Sequence, residues 1–188
     1  FLVSLVCAFN SGVEVIILET GLGGRFDATR CVPADVCLLT SITREHTDIL
    51  GDNIADIAAE KAAIARPNKP IIIRDMYDSK FREAVTSEIQ NAGNITLNEQ
   101  KIPANAKFIA IPENTSTREE ALILVNEVLL SVELPNEMLK EADNQMIWPA
   151  RLQQFTHKLN SYLLDAAHNP SGLTRILPEL IHLIKSSA

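Results

Sequence analysis

Hydrophobic positions along this chain fall into two kinds of pattern. Short, nearly continuous apolar runs appear at 13–18, 36–39 and 70–73. Each is too short for a helix and too apolar for an exposed strand, so each predicts a buried parallel strand. Between the second and third runs, Ile54, Ile57, Ala58, Ala62 and Ala65 recur at helical spacing behind Asn53. The order strand, helix, strand is a βαβ unit and predicts a parallel sheet.

The same periodicity predicts further helices. Leu2, Val3, Leu5, Val6 and Phe9 predict the last turns of a buried helix ending near Gly12. Residues 81–90 predict another helix, and 91–106 a polar loop. A short strand is expected at 107–111 and an amphipathic helix at 116–132. Residues 134–148 read as a connection with a helical turn or more. Strands are expected at 151–157 and 161–164, then a helix opened by Asn169 as N-cap and Pro170 as first helical residue. A domain boundary is expected near Trp148-Pro149, giving parts 1–148 and 149–188.

Composition narrows the class. The 188 residues, 46% apolar and 22% charged, suit a soluble globular protein of one to two domains. A net charge of −7 gives no footprint for nucleic acid or an anionic membrane, but local groups can still hold small anions. Cys7, Cys31 and Cys37 have no metal-binding spacing, which points to a reduced, intracellular setting. The first residue is Phe1 rather than Met, so the expectation is a piece of a longer protein.

Four constellations carry candidate chemistry. Glu19-Thr-Gly-Leu-Gly-Gly-Arg-Phe-Asp-Ala-Thr29 follows the first apolar run. A carboxylate at a strand's carboxyl end beside a glycine-rich turn sits where open α/β sheets bind ligands; the plainer reading is a tight turn with a solvated Glu. Phe26 takes the third glycine position of G-x-G-x-x-G and argues against a dinucleotide turn. His46 follows the second strand and could bind a metal or simply a hydrogen-bond partner. Lys61 falls within the apolar stripe of its helix. Either its stem packs while its head reaches water, or it is a partly desolvated amine that can take up carbon dioxide as a carbamate. Asp165-Ala-Ala-His-Asn-Pro170 joins a strand end to a helix start, which suits a ribose hydroxyl and phosphate, or merely an N-cap. The 188 residues contain no G-x-x-x-x-G-K-[ST] loop.

These motifs recur in order with Thr40-Ser-Ile-Thr-Arg-Glu-His-Thr-Asp-Ile-Leu-Gly51, Ala59-Glu-Lys-Ala62 and Pro149-Ala-Arg-Leu-Gln153. Together they resemble the folylpolyglutamate synthase/dihydrofolate synthase family of Mur-type ligases. The resemblance implies an α/β fold: a partial Mur-ligase-type central ATPase domain with a parallel sheet, then the start of a Rossmann-like C-terminal domain. It implies ATP-dependent joining of L-glutamate to dihydropteroate or a folate through an acyl phosphate, with Mg2+. By resemblance, Glu19 and His46 match metal ligands, and Phe26, Asp27 and Ala28 match the pterin-binding segment. Lys61 matches the carbamylated lysine, Arg151 and Asp165 match ATP contacts, and His168 lies near the phosphates. The departures are Ala150, where the family has Gly, and Glu120, which falls where the family has an Asn that contacts ATP.

The resemblance further implies a monomer when full-length, small-molecule partners only, and a cytoplasmic setting, or a mitochondrial one if a targeting signal precedes this chain. The 188 residues alone are expected not to turn over ATP. A competing expectation is a non-catalytic remnant that folds and binds a pterin or a partner. A metal-dependent hydrolase with a carbamylated lysine is weaker, because only four His are present and they are scattered.

Overall fold

In the computed structural model, residues 1–92 and 104–186 are described. The chain forms two compact units, Phe1–Ala110 and Ile111–Ala188. The mixed α/β architecture agrees with the sequence reading.

The first unit is built on a parallel sheet of order β1-β2-β3, with β1 at Cys37–Leu39, β2 at Pro70–Arg74 and β3 at Asn105–Ile109. Ile71, Ile72 and Ile73 are all buried, as expected for a central strand covered on both faces. Helices α3 (Ile54–Ala62) and α4 (Ser79–Ala92) connect the strands and pack on each other. The Asn53 side chain accepts from Ala55 N, which fixes the start of α3 where the sequence placed it. Ile57, Ala58 and Ala62 of α3 meet Ile71 and Ile73 of β2 and Phe81, Val85 and Ile89 of α4 in one core.

A buried carboxylate ends β2. Asp75, 1% exposed, accepts from Tyr77 N at 3.1 Å and from Arg82 Nε at 3.0 Å, and also from Arg82 Nη2. Arg82 in turn lies 5.0 Å from the centroid of the Phe108 ring. The Arg82 hydrogen bonds hold the Asp75 carboxyl below the usual carboxylate range.

Two sequence expectations fail here. Residues 13–18 form no strand, and Val13, Val15, Ile16 and Ile17 stand exposed, Ile17 at 92%. Helix α1 (Leu2–Asn10) forms, but none of its residues is buried. An apolar run specifies that burial is favourable, not which partner supplies it; these stretches join neither ladder and neither is in the core cluster. Strand β3 also begins two residues earlier than expected, because Asn105 N already donates to Lys69 O at 2.9 Å. Most of the polar loop expected at 91–106 lies outside the described residues.

In the second unit, α5 (Thr117–Ser131) opens with a capping box: Glu119 N donates to Ser116 Oγ, and Ser116 N donates to Glu119 Oε2. Helix α6 (Leu139–Gln145) follows, then an antiparallel hairpin of β4 (Gln153–His157) and β5 (Asn160–Leu164). Phe155 and Tyr162 face each other across the ladder and stack at 5.1 Å. Helix α7 (Pro170–Ser186) starts where expected, and its Gly172 N donates to Asn169 Oδ1 at 2.7 Å. The buried Glu120 of α5 pairs with Arg175 of α7 at 2.7 Å.

Candidate functional site

The sequence-predicted residues fall into two groups, one in each compact unit. In the first unit, the glycine-rich segment is folded by Asp27. Its Oδ2 accepts from Gly21 N at 2.9 Å and Leu22 N at 3.2 Å. Its Oδ1 accepts from Thr29 N at 2.9 Å and Thr29 Oγ1 at 2.7 Å. Burial works to raise the Asp27 pKa, but these donors from Thr29, Leu22 and Gly21 outweigh it and hold the value at about 2. Asp27 is thus an anion that closes the loop and caps the 3-10 turn Ala28–Cys31. Phe26, beside it, is 91% exposed.

The closed loop is pressed onto the end of α3. A Cβ on Gly24 would stand 2.6 Å from Lys61 O, 2.7 Å from Glu60 O and 2.9 Å from Ile64 Cγ2. Only glycine lets the backbone come this close. Gly23 adopts φ +62 above Glu60. Arg25 then fastens the loop to two helices: Nε donates to Glu60 at 2.9 Å, and the two terminal nitrogens each lie 2.9 Å from a Glu88 oxygen. Hydrogen bonding to Glu88, and next to Glu60, raises the guanidinium pKa above its ordinary value, so Arg25 is always charged. Arg66 adds Nε to Val32 O at 3.0 Å, Nη2 to Thr29 O at 2.9 Å, and a bond to Ile64 O. The first and third motifs of the sequence are therefore one packed structure, with Lys61 half-buried in the last turn of α3.

Glu19 and His46 are both exposed. Glu19 does not end a strand, which corrects the expectation built on 13–18. His46 sits at the N-cap of the short helix α2 (Thr47–Leu50) in left-handed backbone, φ 54. Among the described residues, no group of three His, Cys, Asp or Glu side chains is arranged to hold a metal.

In the second unit, Arg151 and Asp165 line one cavity, while the exposed His168 lies three residues beyond Asp165. The partly buried Asp165 carboxylate accepts from Leu152 N at 2.8 Å and Ala167 N at 2.7 Å. Ala166 N donates to Ala150 O at 2.8 Å, so this bond and that from Leu152 N join the two motifs. His168 Nδ1 lies 3.0 Å from Ala166 O; a carbonyl only accepts, so this ring nitrogen donates. A cavity of about 140 Å³ is lined by Arg118, Trp148, Arg151, Asp165 and Glu179, among others. Arg118 lies over the Trp148 ring at 5.8 Å and is held by Asp143 at 2.7 Å. Sequence reasoning named Arg25 only as a cation beside the turn and missed Arg66 and Arg118. Asp27-Ala-Thr29 carried a legible capping signal that went unused.

No family model matches the chain. A dihydrofolate synthase/folylpolyglutamate synthase of Bacillus subtilis is 30% identical over 189 residues, covering 87% of this chain and 44% of that protein. An Escherichia coli protein of the same name is 54% identical over 61 residues, covering 32% of this chain and 14% of that protein. Among solved structures, a bifunctional folylpolyglutamate synthase/dihydrofolate synthase from Yersinia pestis, complexed with AMPPNP and a Mn ion, is 26% identical with a TM-score of 0.76. That match covers 98% of this chain and 47% of the other. The chain belongs to the dihydrofolate synthase/folylpolyglutamate synthase family and spans a little under half the length of the relatives it matches.

Proposed function

We propose that this chain supplies part of the active site of an ATP-dependent ligase of folate metabolism. The reaction joins the amino group of L-glutamate to a carboxylate of dihydropteroate or a folate. A carboxylate oxygen of the acceptor attacks the γ-phosphorus of ATP, and ADP leaves. The amine nitrogen of glutamate then attacks the acyl carbon, the C–O bond to phosphate breaks, and inorganic phosphate leaves; the ammonium proton passes to solvent. The observation that carries this reading is the seating of the glycine-rich loop, through Gly24 and Arg25, on the turn of α3 that bears Lys61.

Residue roles follow from placement and resemblance. The exposed Phe26 and Ala28 offer an apolar surface to the flat pterin, while Asp27 fixes the loop that presents them. Glu19 and His46 would hold a divalent ion, which when bound supplies charge neutralisation for the phosphates. Lys61, as its carbamate, would add a fixed anion near that ion. Arg151 and Asp165 serve the nucleotide, and His168 stands near its phosphates. In this reading roles divide near Trp148-Pro149, and the full-length protein is a cytoplasmic monomer. Among the described residues, no helix is long and apolar enough to cross a membrane.

The test is glutamate-dependent ADP release by the natural protein carrying this chain, with dihydropteroate and with a folate offered in turn. ADP release that needs both glutamate and a pterin acceptor is expected. No release with either acceptor contradicts it. The same assay separates a second reading, a non-catalytic remnant that folds and binds a pterin or a partner without turnover.

A further inference from the structure

Arg118 is held in one position at the wall of the second unit's cavity. Its Nε donates to Asp143 Oδ1 at 2.7 Å, and its Nη2 donates to the backbone carbonyl of the same residue, in the last turn of α6. The Asp143 side chain is only 13% exposed, so this is not a loose surface pair. The guanidinium carbon lies over the Trp148 ring, 5.8 Å from its centroid. Two bonds to one residue and an indole beneath leave the planar group little freedom to turn. Its remaining nitrogen, Nη1, makes no hydrogen bond to any described residue. The indole Nε1 of Trp148 is buried and likewise has no partner among the described residues. Trp148 is therefore placed by packing and by Arg118, not by a bond of its own.

A tie between α5 and α6 would account for the two bonds to Asp143, but not for the ring or the cavity. The cavity of about 140 Å³ has apolar walls from Trp148, Leu152 and Ile176, with Arg151 and Asp165 also at its surface. Flat and apolar walls with a few polar groups suit an aromatic ring better than a phosphate, which needs donors around it. A ribose at Asp165 would carry its base one glycosidic bond away, within reach of the same cavity. Guanidinium planes stack on bases as aromatic rings do. We infer that Arg118 is a base-contacting residue: set on Trp148 and anchored by Asp143, its guanidinium is the shelf against which the purine ring of the nucleotide lies. This inference rests on the nucleotide reading above, and the test separates the two.

The natural protein carrying this chain is compared with Arg118→Met, which keeps the stem but not the plane, and Arg118→Tyr, which restores a flat face without the bonds to Asp143. MgADP and magnesium diphosphate are titrated into each by calorimetry. In R118M, MgADP affinity is expected to fall about tenfold, while that for magnesium diphosphate stays within twofold of wild type. In R118Y, MgADP affinity is expected to return to within threefold of wild type. Unchanged MgADP affinity in R118M overturns the inference and leaves Arg118 as a tie between helices. An equal loss for magnesium diphosphate overturns it too, because Arg118 would then touch phosphate. So does an R118Y as weak as R118M, since a flat face would then not be what the site lacks. If R118M does not fold, R118Y decides by the same threefold criterion; if neither folds, the inference is overturned, because Arg118 then holds the unit together. If wild type itself binds no MgADP, the nucleotide reading fails and the inference falls with it, whereas tight MgADP binding that is indifferent to R118M fails the inference alone.

Discussion

Replacing Gly24 by alanine tests the joint between the glycine-rich loop and α3. The added methyl would lie 2.6 Å from Lys61 O and 2.7 Å from Glu60 O, both backbone atoms, and 2.9 Å from Ile64 Cγ2. Ordinary carbon–oxygen contact is about 3.4 Å, so the loop must rise by roughly 0.7 Å. A side chain could rotate away, but the carbonyls at the end of a helix cannot. That movement pulls Arg25 off Glu60 and Glu88 and loosens the Ile57, Ala58 and Ala62 packing beneath. Forcing a methyl into such a joint costs about 1–3 kcal/mol, here at the upper end because two of the three contacts are backbone. The assay is urea unfolding followed by far-ultraviolet circular dichroism, with the slope compared between variants. Gly21→Ala is the control: its Cβ would meet only Asp27 Oδ2 at 3.4 Å, an ordinary contact, and it should cost under about 0.5 kcal/mol. A G24A loss below about 0.5 kcal/mol, or one equal to that of G21A, would refute the close approach.

Asp27 should make stability fall in acid. Its pKa is lowered from 3.8 to about 2 by folding, so its contribution is complete above about pH 4 and is lost as the pH falls through about 2. Allowing for solvent screening, it is worth about 1 kcal/mol; Asp27→Asn should flatten that part of the acid melt, and an unaltered profile would count against the loop-closing role. Arg25→Met leaves the buried Glu88 carboxylate without its ion pair and should cost about 2 kcal/mol at pH 7. Adding Glu88→Gln should recover about half of that loss, and no recovery would show that the charge pair is not the cause. Lys61→Ala should lower the activity of the natural protein at least ~100-fold, with partial rescue by a small added carboxylate; near wild-type turnover would return Lys61 to a packing role.

The elements legible in the sequence are those whose signals are local. Asn53, the Ser116 and Glu119 pair and Asn169-Pro170 each announce a helix start by chemistry within three residues, and all three helices begin there. The three isoleucines of β2 announced a strand buried on both faces. Residues 13–18 have the same apolar character, yet no ladder partner, so pattern alone misled. The candidate site was legible as motifs but not as geometry. Nothing in the sequence says that Arg25 pairs with residues 35 and 63 positions away, or that Gly24 touches the carbonyl of Lys61. Asp27 matched a pterin-binding segment by resemblance, and Asp165 suited a ribose hydroxyl from its strand-end position. That both also accept from backbone amides appears only when the loops are closed.

The ligase reading turns on whether the acceptor carboxylate is phosphorylated before glutamate attacks. The direct measurement uses a pterin acceptor with 18O in its carboxylate, incubated with ATP, glutamate and the natural protein carrying this chain. The account predicts that the inorganic phosphate released carries one 18O from the acceptor for each peptide bond formed. Unlabelled phosphate alongside product would contradict it.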